Sequence, residues 1–285
     1  MKEGIDLSQP SSRIRTLYAL LVLVSAAYII VVACQSAPLT GRTQFKLVPS
    51  SHMANLAAET YEELTADANV ITSGPEATRI KRIGVKIARA AEDSDFRWPQ
   101  RGTFAWEFRI IEDPNTVNAW ALPGGKVAVY TGIFRITDTD DEIATVLGHE
   151  IAHAILEHGN ERFSQEMMAA GLNLGAAAAV QGQSEQTKSI LLESLGTGTE
   201  KGATLPFSRK HEYEADEIGL KLMAAAGYDP RAAVTFWSRM ADLDKDKKRT
   251  PQILSTHPSH ENRIKQLKEW MPLAIGIYEG ERELE

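Results

Sequence analysis

The sequence predicts an α+β fold, mostly helical, built round one small β-sheet in a single domain. Apolar residues recur at three- and four-residue spacing, as in Ile80, Ile83 and Ile87 and again in Ile143, Leu147, Ile151 and Ile155, which is the period of one helix face. Between those regions the period changes. "FAWEFRIIE", Phe104 to Glu112, and "KVAVYTG", Lys126 to Gly132, are short aromatic and β-branched runs, the second entered through an "LPGG" turn. Several helices with one small sheet and no second hydrophobic unit point to a single α+β domain.

The elements follow in order. Leu17 to Ala33, "LYALLVLVSAAYIIVVA", is uncharged and follows Arg13 and Arg15, so residues 1–33 read as a secretory signal, with a single membrane anchor as the alternative. The run closes in "VVAC", which resembles a bacterial lipobox and makes Cys34 the lipidation site. Ser36 stands where an inner-membrane retention signal would carry aspartate, so the expected placement is the outer membrane of a Gram-negative bacterium, facing the periplasm, with an inner-membrane anchor as the alternative. Residues 34–50 read as a polar tether, broken by Pro38, Gly41 and Pro49.

Helices are expected from Ser51 to about Asp67 and from Pro75 to Ala91. The capping residues at Thr137 to Asp141 open another that runs to His158 and closes at Gly159. Residues 164 to 200 are rich in Ala, Gly and Gln and read as a helix with a mobile connection, a lid in outline. Further helices run from Ser208 to Ala226, onward from Pro230, and from Pro258 to Met271, leaving 272–285 as a tail. The globular domain is thus 51–271.

Composition excludes some functions. The 285 residues are 43% hydrophobic with a net charge of −7, and no long basic run offers nucleic acid a surface. Cys34 is the one cysteine, so neither an internal disulfide nor a cysteine-based zinc knuckle can form.

The chemistry is concentrated in "LGHEIAHAILEHG", Leu147 to Gly159. His149 and His153 lie about 40° apart round a helix, well away from the apolar stripe of Ile143, Leu147, Ile151 and Ile155. Two imidazoles one turn apart can share one zinc, and Glu150 beside the first reaches a water on the same ion. Leu156 and Gly159 stand where a third histidine ligand would need glycine and histidine. His158, roughly 140° round from His153, cannot face the same metal on one continuous helix. The remaining source is a carboxylate on a later helix. In "SRKHEYEADEIGL", Glu212 and Asp216 project together while Glu214 points about 200° away. Glu212 is therefore the expected ligand, and Asp216 the acceptor for the free N–H of a ligating histidine. His52, His211 and His260 have no assigned part and read as surface residues.

"HEIAHAILEHG" followed by "FSRKHEYEAD" resembles the gluzincin family of zinc metallopeptidases that includes HtpX and the CAAX prenyl proteases. "NAWALPGGKVAVYTG", Asn118 to Gly132, and "STHPSHENRI", Ser255 to Ile264, match it too. The likeness covers roughly Leu39 to Met271 and is nearest to the exported lipoprotein branch, BepA-like and LoiP-like. The multi-pass membrane segments and the tetratricopeptide array of some members are not expected here. The resemblance implies one Zn²⁺ per chain on His149, His153 and Glu212, with Glu150 as catalytic base. It also implies His257 and Arg263 as groups for the oxyanion, or His257 as a fourth ligand in a latent state. Asn118, Ala119, Trp120 and Ala121 would lead the edge strand of the cleft and pair with an extended peptide. The implied function is endoproteolysis of unfolded or misassembled envelope proteins. The alternatives are a zinc-binding chaperone-like protein and a latent peptidase that needs an activating partner.

Overall fold

The structure, a computed structural model, describes residues 33–93, 96–170, 185–195, 207–245, 251–257 and 262–280, with scattered positions between 16 and 31. The expected signal segment falls largely outside the described residues, and no helix among those described is long and apolar enough to cross a membrane.

The segment expected as a tether is structured. Strands β1 (Cys34–Ser36) and β2 (Thr43–Phe45) pair antiparallel with Cys34 opposite Phe45. The chain reverses through left-handed residues at Leu39 (φ 62°) and Gly41 (φ 66°). What fixes this hairpin is polar burial that periodicity does not register. Gln44 donates from Nε2 to the Leu156 carbonyl at 2.7 Å, and Lys46 pairs with the buried Glu157.

Helix α1 (Ser50–Thr65) and helix α2 (Pro75–Ala91) flank a sheet of β3 (Val70–Ile71), β4 (Glu107–Ile111), β5 (Ala119–Leu122) and β6 (Lys126–Tyr130). Its order is β3-β4-β6-β5, with β4 and β6 parallel and the other pairs antiparallel, so β5 is an edge strand. The two-residue period divides the apolar side chains between the faces. Phe108, Ile110, Val127 and Val129 pack with Ile80, Ile83 and Ile87 of α2 and with Ile143, Leu147 and Ile151 of α3 (Asp140–Ile155). On the other face, Ile111, Trp120, Leu122 and Ala128 meet Met53, Leu56 and Tyr61 of α1 and Phe163 of α4 (His158–Ala169). Each such side chain taken from water contributes roughly 1.5–3 kcal/mol, so both faces hold the sheet firmly.

Helix α3 begins where the capping residues fall: Thr139 Oγ1 accepts from the Glu142 N–H at 3.2 Å, and Asp140, Asp141 and Glu142 fill the first turn. It does not run to His158. It stops at Ile155, Glu157 adopts a left-handed φ of 55°, and α4 starts at His158 on a new axis. Gln44, on the Leu156 carbonyl, and Lys46, on the Glu157 carboxylate, hold this corner from outside.

Of the expected lid region, residues 164–170, most of them in α4, and residues 185–195, with helix α5 (Glu185–Ser194), are described; the rest lies outside the described residues. Helix α6 (Arg209–Ala225) is capped by Ser208, whose hydroxyl accepts from the His211 N–H at 3.2 Å. Then come α7 (Arg231–Lys245), α8 (Ile253–Thr256) and α9 (Arg263–Tyr278). Helix α9 starts later than expected and continues through Pro272 into the expected tail. Helices α3 and α6 cross at two glycines: a Cβ on Gly148 would stand 2.8 Å from the Gly219 carbonyl oxygen. That approach sets the histidines of one helix against the carboxylates of the other.

Candidate metal centre

His149 and His153 leave the same side of α3, and Glu212 comes from the first turn of α6. His257 follows α8, where its N–H donates to the Ile253 carbonyl at 2.9 Å. All four side chains are buried, with their donor atoms within 4.8 Å of one another. His149 Nε2 lies 3.1 Å from His153 Nε2 and 3.2 Å from His257 Nδ1. Glu212 Oε1 lies 3.1 Å from His257 Nδ1 and 3.4 Å from His153 Nε2, and its Oε2 lies 3.5 Å from His149 Nε2. Four nitrogen and oxygen donors about 2.0–2.1 Å from a common centre stand at separations of this size. Three imidazole nitrogens and a carboxylate converging in one buried place suit one cation, and Glu212 Oε2 accepts no hydrogen bond. The donor set fits zinc, the metal of this class of site.

The surroundings tune the donors. Burial pushes Glu212 up, but the charges of His257 and His149 outweigh it and hold the carboxylate ionised. Burial drives His153 well down, leaving it neutral, the form in which imidazole binds a metal. For His149 the same burial is outweighed by the Glu212 charge, and the ring is pushed up. Behind the cluster, Asp216 Oδ1 is 2.9 Å from His149 Nδ1, so the carboxylate can fix the ring's tautomer.

Glu150 is buried, and that burial pushes its carboxyl up to about 7. Its Oε1 lies 3.4 Å from His257 Nε2, and the Ala121 N–H donates to its carboxylate. Strand β5 explains the second contact. The Tyr130 N–H donates to the Asn118 carbonyl at 3.1 Å, so Trp120 and Leu122 turn their backbone groups to β6. Ala119 and Ala121 then present theirs at the open edge. Asn118, Ala119, Trp120 and Ala121 are all buried, β5 being packed between α1 and α3, and the chain from Pro251 to His257 reaches the start of this edge, where the Ile253 N–H donates to the Val117 carbonyl at 3.0 Å.

Arg263 and His211 are placed differently from expectation, and His158, outside the donor set as expected, has a contact that helix spacing did not show. Arg263, expected at the oxyanion, is 1% exposed and donates from Nη2 to Asp216 Oδ1 at 2.6 Å, with Nη1 3.2 Å from Glu212 Oε2. Two buried carboxylates draw the guanidinium behind the site, where the Trp237 ring stacks 3.2 Å from it. His211, expected on the surface, is 4% exposed, with Nε2 3.1 Å from Glu161 Oε2. His158 lies 2.9 Å from His153, Nδ1 to Nδ1, because the break at Glu157 turns it back. Sequence reasoning missed His158, Glu214 and Arg42 as neighbours of the site, since one continuous helix would have sent His158 elsewhere. His260 lies outside the described residues.

Donors placed in this way, with a buried carboxylic acid beside the first histidine and a sheet edge alongside, define a zinc metallopeptidase domain. Residues 74–271 match Peptidase family M48, and the chain belongs to that family. It is 35% identical over 240 residues to the mitochondrial metalloendopeptidase OMA1 of Schizosaccharomyces pombe, covering 83% of this chain and 66% of that protein. The Saccharomyces cerevisiae OMA1 is 33% identical, with 85% of this chain and 70% of that protein covered. The β-barrel assembly-enhancing protease of Escherichia coli is 32% identical over 162 residues, 56% of this chain and 33% of its own length. The chain thus spans about two thirds of the yeast proteins and a third of the bacterial one.

These relatives overturn the placement expected from the first residues. Metalloendopeptidases of the mitochondrion, from Schizosaccharomyces pombe to Homo sapiens, stand where an outer-membrane lipoprotein of a Gram-negative envelope was expected. Lipidation of Cys34, which is exposed at the start of β1, finds no support in these matches.

Proposed function

We propose that the chain is an endopeptidase that cleaves extended segments of unfolded or misassembled proteins, as part of protein quality control. In this reading His149, His153 and Glu212 hold the zinc. The metal supplies a Lewis acid that lowers the pKa of water toward neutrality and polarises a carbonyl. Glu150 takes a proton from the water that attacks the peptide carbon and delivers it to the amine as the C–N bond breaks. Asp216 holds His149 in one tautomer, and Arg263 fixes Asp216 and Glu212 in place. The carbonyls of Ala119 and Ala121, whose N–H groups donate to Asn118 Oδ1 and to Glu150, accept from an extended substrate, which gives affinity with little side-chain preference. The name of the Escherichia coli relative, which refers to β-barrel assembly, supports a role with proteins that fail to assemble.

One observation carries the reading: Glu150 is buried with a carboxyl raised to about 7, beside the donors and at the sheet edge. A zinc site that served only a chaperone-like fold would have no use for it. Unfolded casein tests this, with Glu150→Gln expected to retain one zinc and lose cleavage while wild type cleaves. If neither form cleaves and both keep zinc, the binding-protein reading takes over.

A latent form of the same enzyme is favoured by His257. Its Nδ1 stands in the donor set and its Nε2 faces Glu150, while the segment before it reaches the start of the β5 edge. An activating partner would have to lift Pro251–His257 away.

A further inference from the structure

We propose that His158, Glu214 and Arg42 form a positioning chain behind the zinc ligand His153, so that the N-terminal hairpin is part of the metal centre. The inference rests on the zinc-site reading above. The chain is continuous on measured contacts. His153 Nε2 belongs to the donor set and its Nδ1 is 2.9 Å from His158 Nδ1. His158 Nε2 is 3.0 Å from Glu214 Oε2, and Glu214 Oε1 accepts from Arg42 Nε at 2.7 Å and from the Thr40 hydroxyl at 3.3 Å.

Proton placement along it has one consistent solution. A ligating Nε2 must be bare, so His153 carries its proton on Nδ1 and donates it to His158 Nδ1. His158 then carries its own proton on Nε2 and donates it to the Glu214 carboxylate. Arg42 closes the chain as a cation, with its other two nitrogens held by both oxygens of Glu161 at 2.7 and 2.6 Å. Glu161 also faces His211 Nε2 at 3.1 Å, and the His211 ring stacks on His158 with centroids 4.4 Å apart. His158 is fully buried, so water cannot replace either of its two links. Asp216 does the same for His149 with a single carboxylate; His153 reaches its carboxylate through a second imidazole.

The corner at Glu157 is what delivers His158 to this place, and Gln44 and Lys46 of the hairpin hold that corner. Moving the hairpin therefore loosens His153, while His149 keeps its own partner in Asp216.

Zinc affinity, measured on the full chain by competition with a chromogenic chelator, tests the proposal. His158→Ala and Arg42→Ala should each bind zinc about 10- to 100-fold more weakly, the size typical for loss of a ligand's partner. His158→Gln, which can accept from His153 and donate to Glu214, should recover most of the affinity. In the zinc-loaded wild type, ¹⁵N shifts of the histidine rings should place the His153 proton on Nδ1, and Arg42→Ala should broaden that signal. Unchanged affinity in His158→Ala and Arg42→Ala, with Glu212→Gln weakened, would overturn the chain but leave the zinc site standing. If Glu212→Gln also binds as wild type does, the zinc-site reading itself fails. Equal losses in His158→Ala and His158→Gln would reduce His158 to a packing role and overturn the proposal too.

Discussion

Gly148 and Gly219 touch at the crossing of the two helices that carry the metal donors, and neither position has room for a methyl group. A Cβ on Gly219 would fall 2.8 Å from the backbone nitrogen of His149, itself a ligand. Gly148→Ala or Gly219→Ala should thus push α3 and α6 apart, with a loss of about 1–3 kcal/mol from the strained contact. The separation also carries Glu212 and Asp216 away from the histidines. Zinc affinity should fall together with the melting temperature in both variants. A variant that loses stability but binds zinc normally would mean that the glycines serve packing alone.

The proposed latency rests on His257. As a fourth donor it fills the place that a catalytic zinc leaves for water or substrate, and it keeps Glu150 company at 3.4 Å. His257→Ala should therefore retain zinc through three ligands while casein cleavage rises severalfold over wild type. Side-by-side rate assays with measured zinc content decide this. A fall in rate at full zinc occupancy would instead give His257 a direct part in the reaction.

Acid should weaken the corner that the hairpin holds, in two stages set by different groups. Burial holds His158 down to about 4, below the ordinary 6.5. As pH falls below 6.5 the unfolded chain takes the proton first, so stability is lost between pH 6.5 and about 4. The full loss is on the order of 3 kcal/mol. Glu214 behaves like an ordinary paired carboxylate. Burial raises it, but hydrogen bonds from His158 and Arg42 prevail and hold it at about 2, so its contribution is present above pH 4.5 and disappears from there down to about 2. Denaturant unfolding of the zinc-free protein at pH 7, 5.5 and 4 should register the first stage, and His158→Gln should reduce it, leaving the part that belongs to His153, which burial also holds down. A flat profile in wild type would contradict the neutral, buried state of this ring.

What the sequence disclosed and what it withheld divide along one physical line. Local periodicity and spacing were enough for α2, for the strands β4 and β6, and for the pairing of His149 with His153 on one helix and of Glu212 with Asp216 on another, because each depends on the geometry of a single element. The hairpin β1–β2, the corner at Glu157 and the buried rings of His158 and His211 depend on polar partners 50 or more positions apart, such as Gln44 with Leu156 and His158 with Glu214. Charged and polar residues carry no hydrophobic period when they are buried in pairs, so 34–50 read as a tether and His211 as surface. Placement in the cell was misread for another reason. A short apolar run before a cysteine is a weak signal, and the relatives outweigh it.

Arg263 gives the last prediction, because two roles for it differ in what they would change. Its guanidinium lies against Asp216 and Glu212 and under the Trp237 ring. Removing it leaves two buried carboxylates without their cation, and breaking a buried pair of this kind typically removes about 3–5 kcal/mol. Zinc would restore part of that loss, since it neutralises Glu212. Arg263→Met should therefore melt far below wild type when zinc-free and gain more than wild type does when zinc is added. A group acting on the oxyanion would behave otherwise, with melting unchanged and kcat reduced by about 10²- to 10³-fold. Melting curves with and without zinc, alongside kcat for the zinc-loaded forms, separate the two. The buried contacts with Asp216 and Glu212 favour the first outcome.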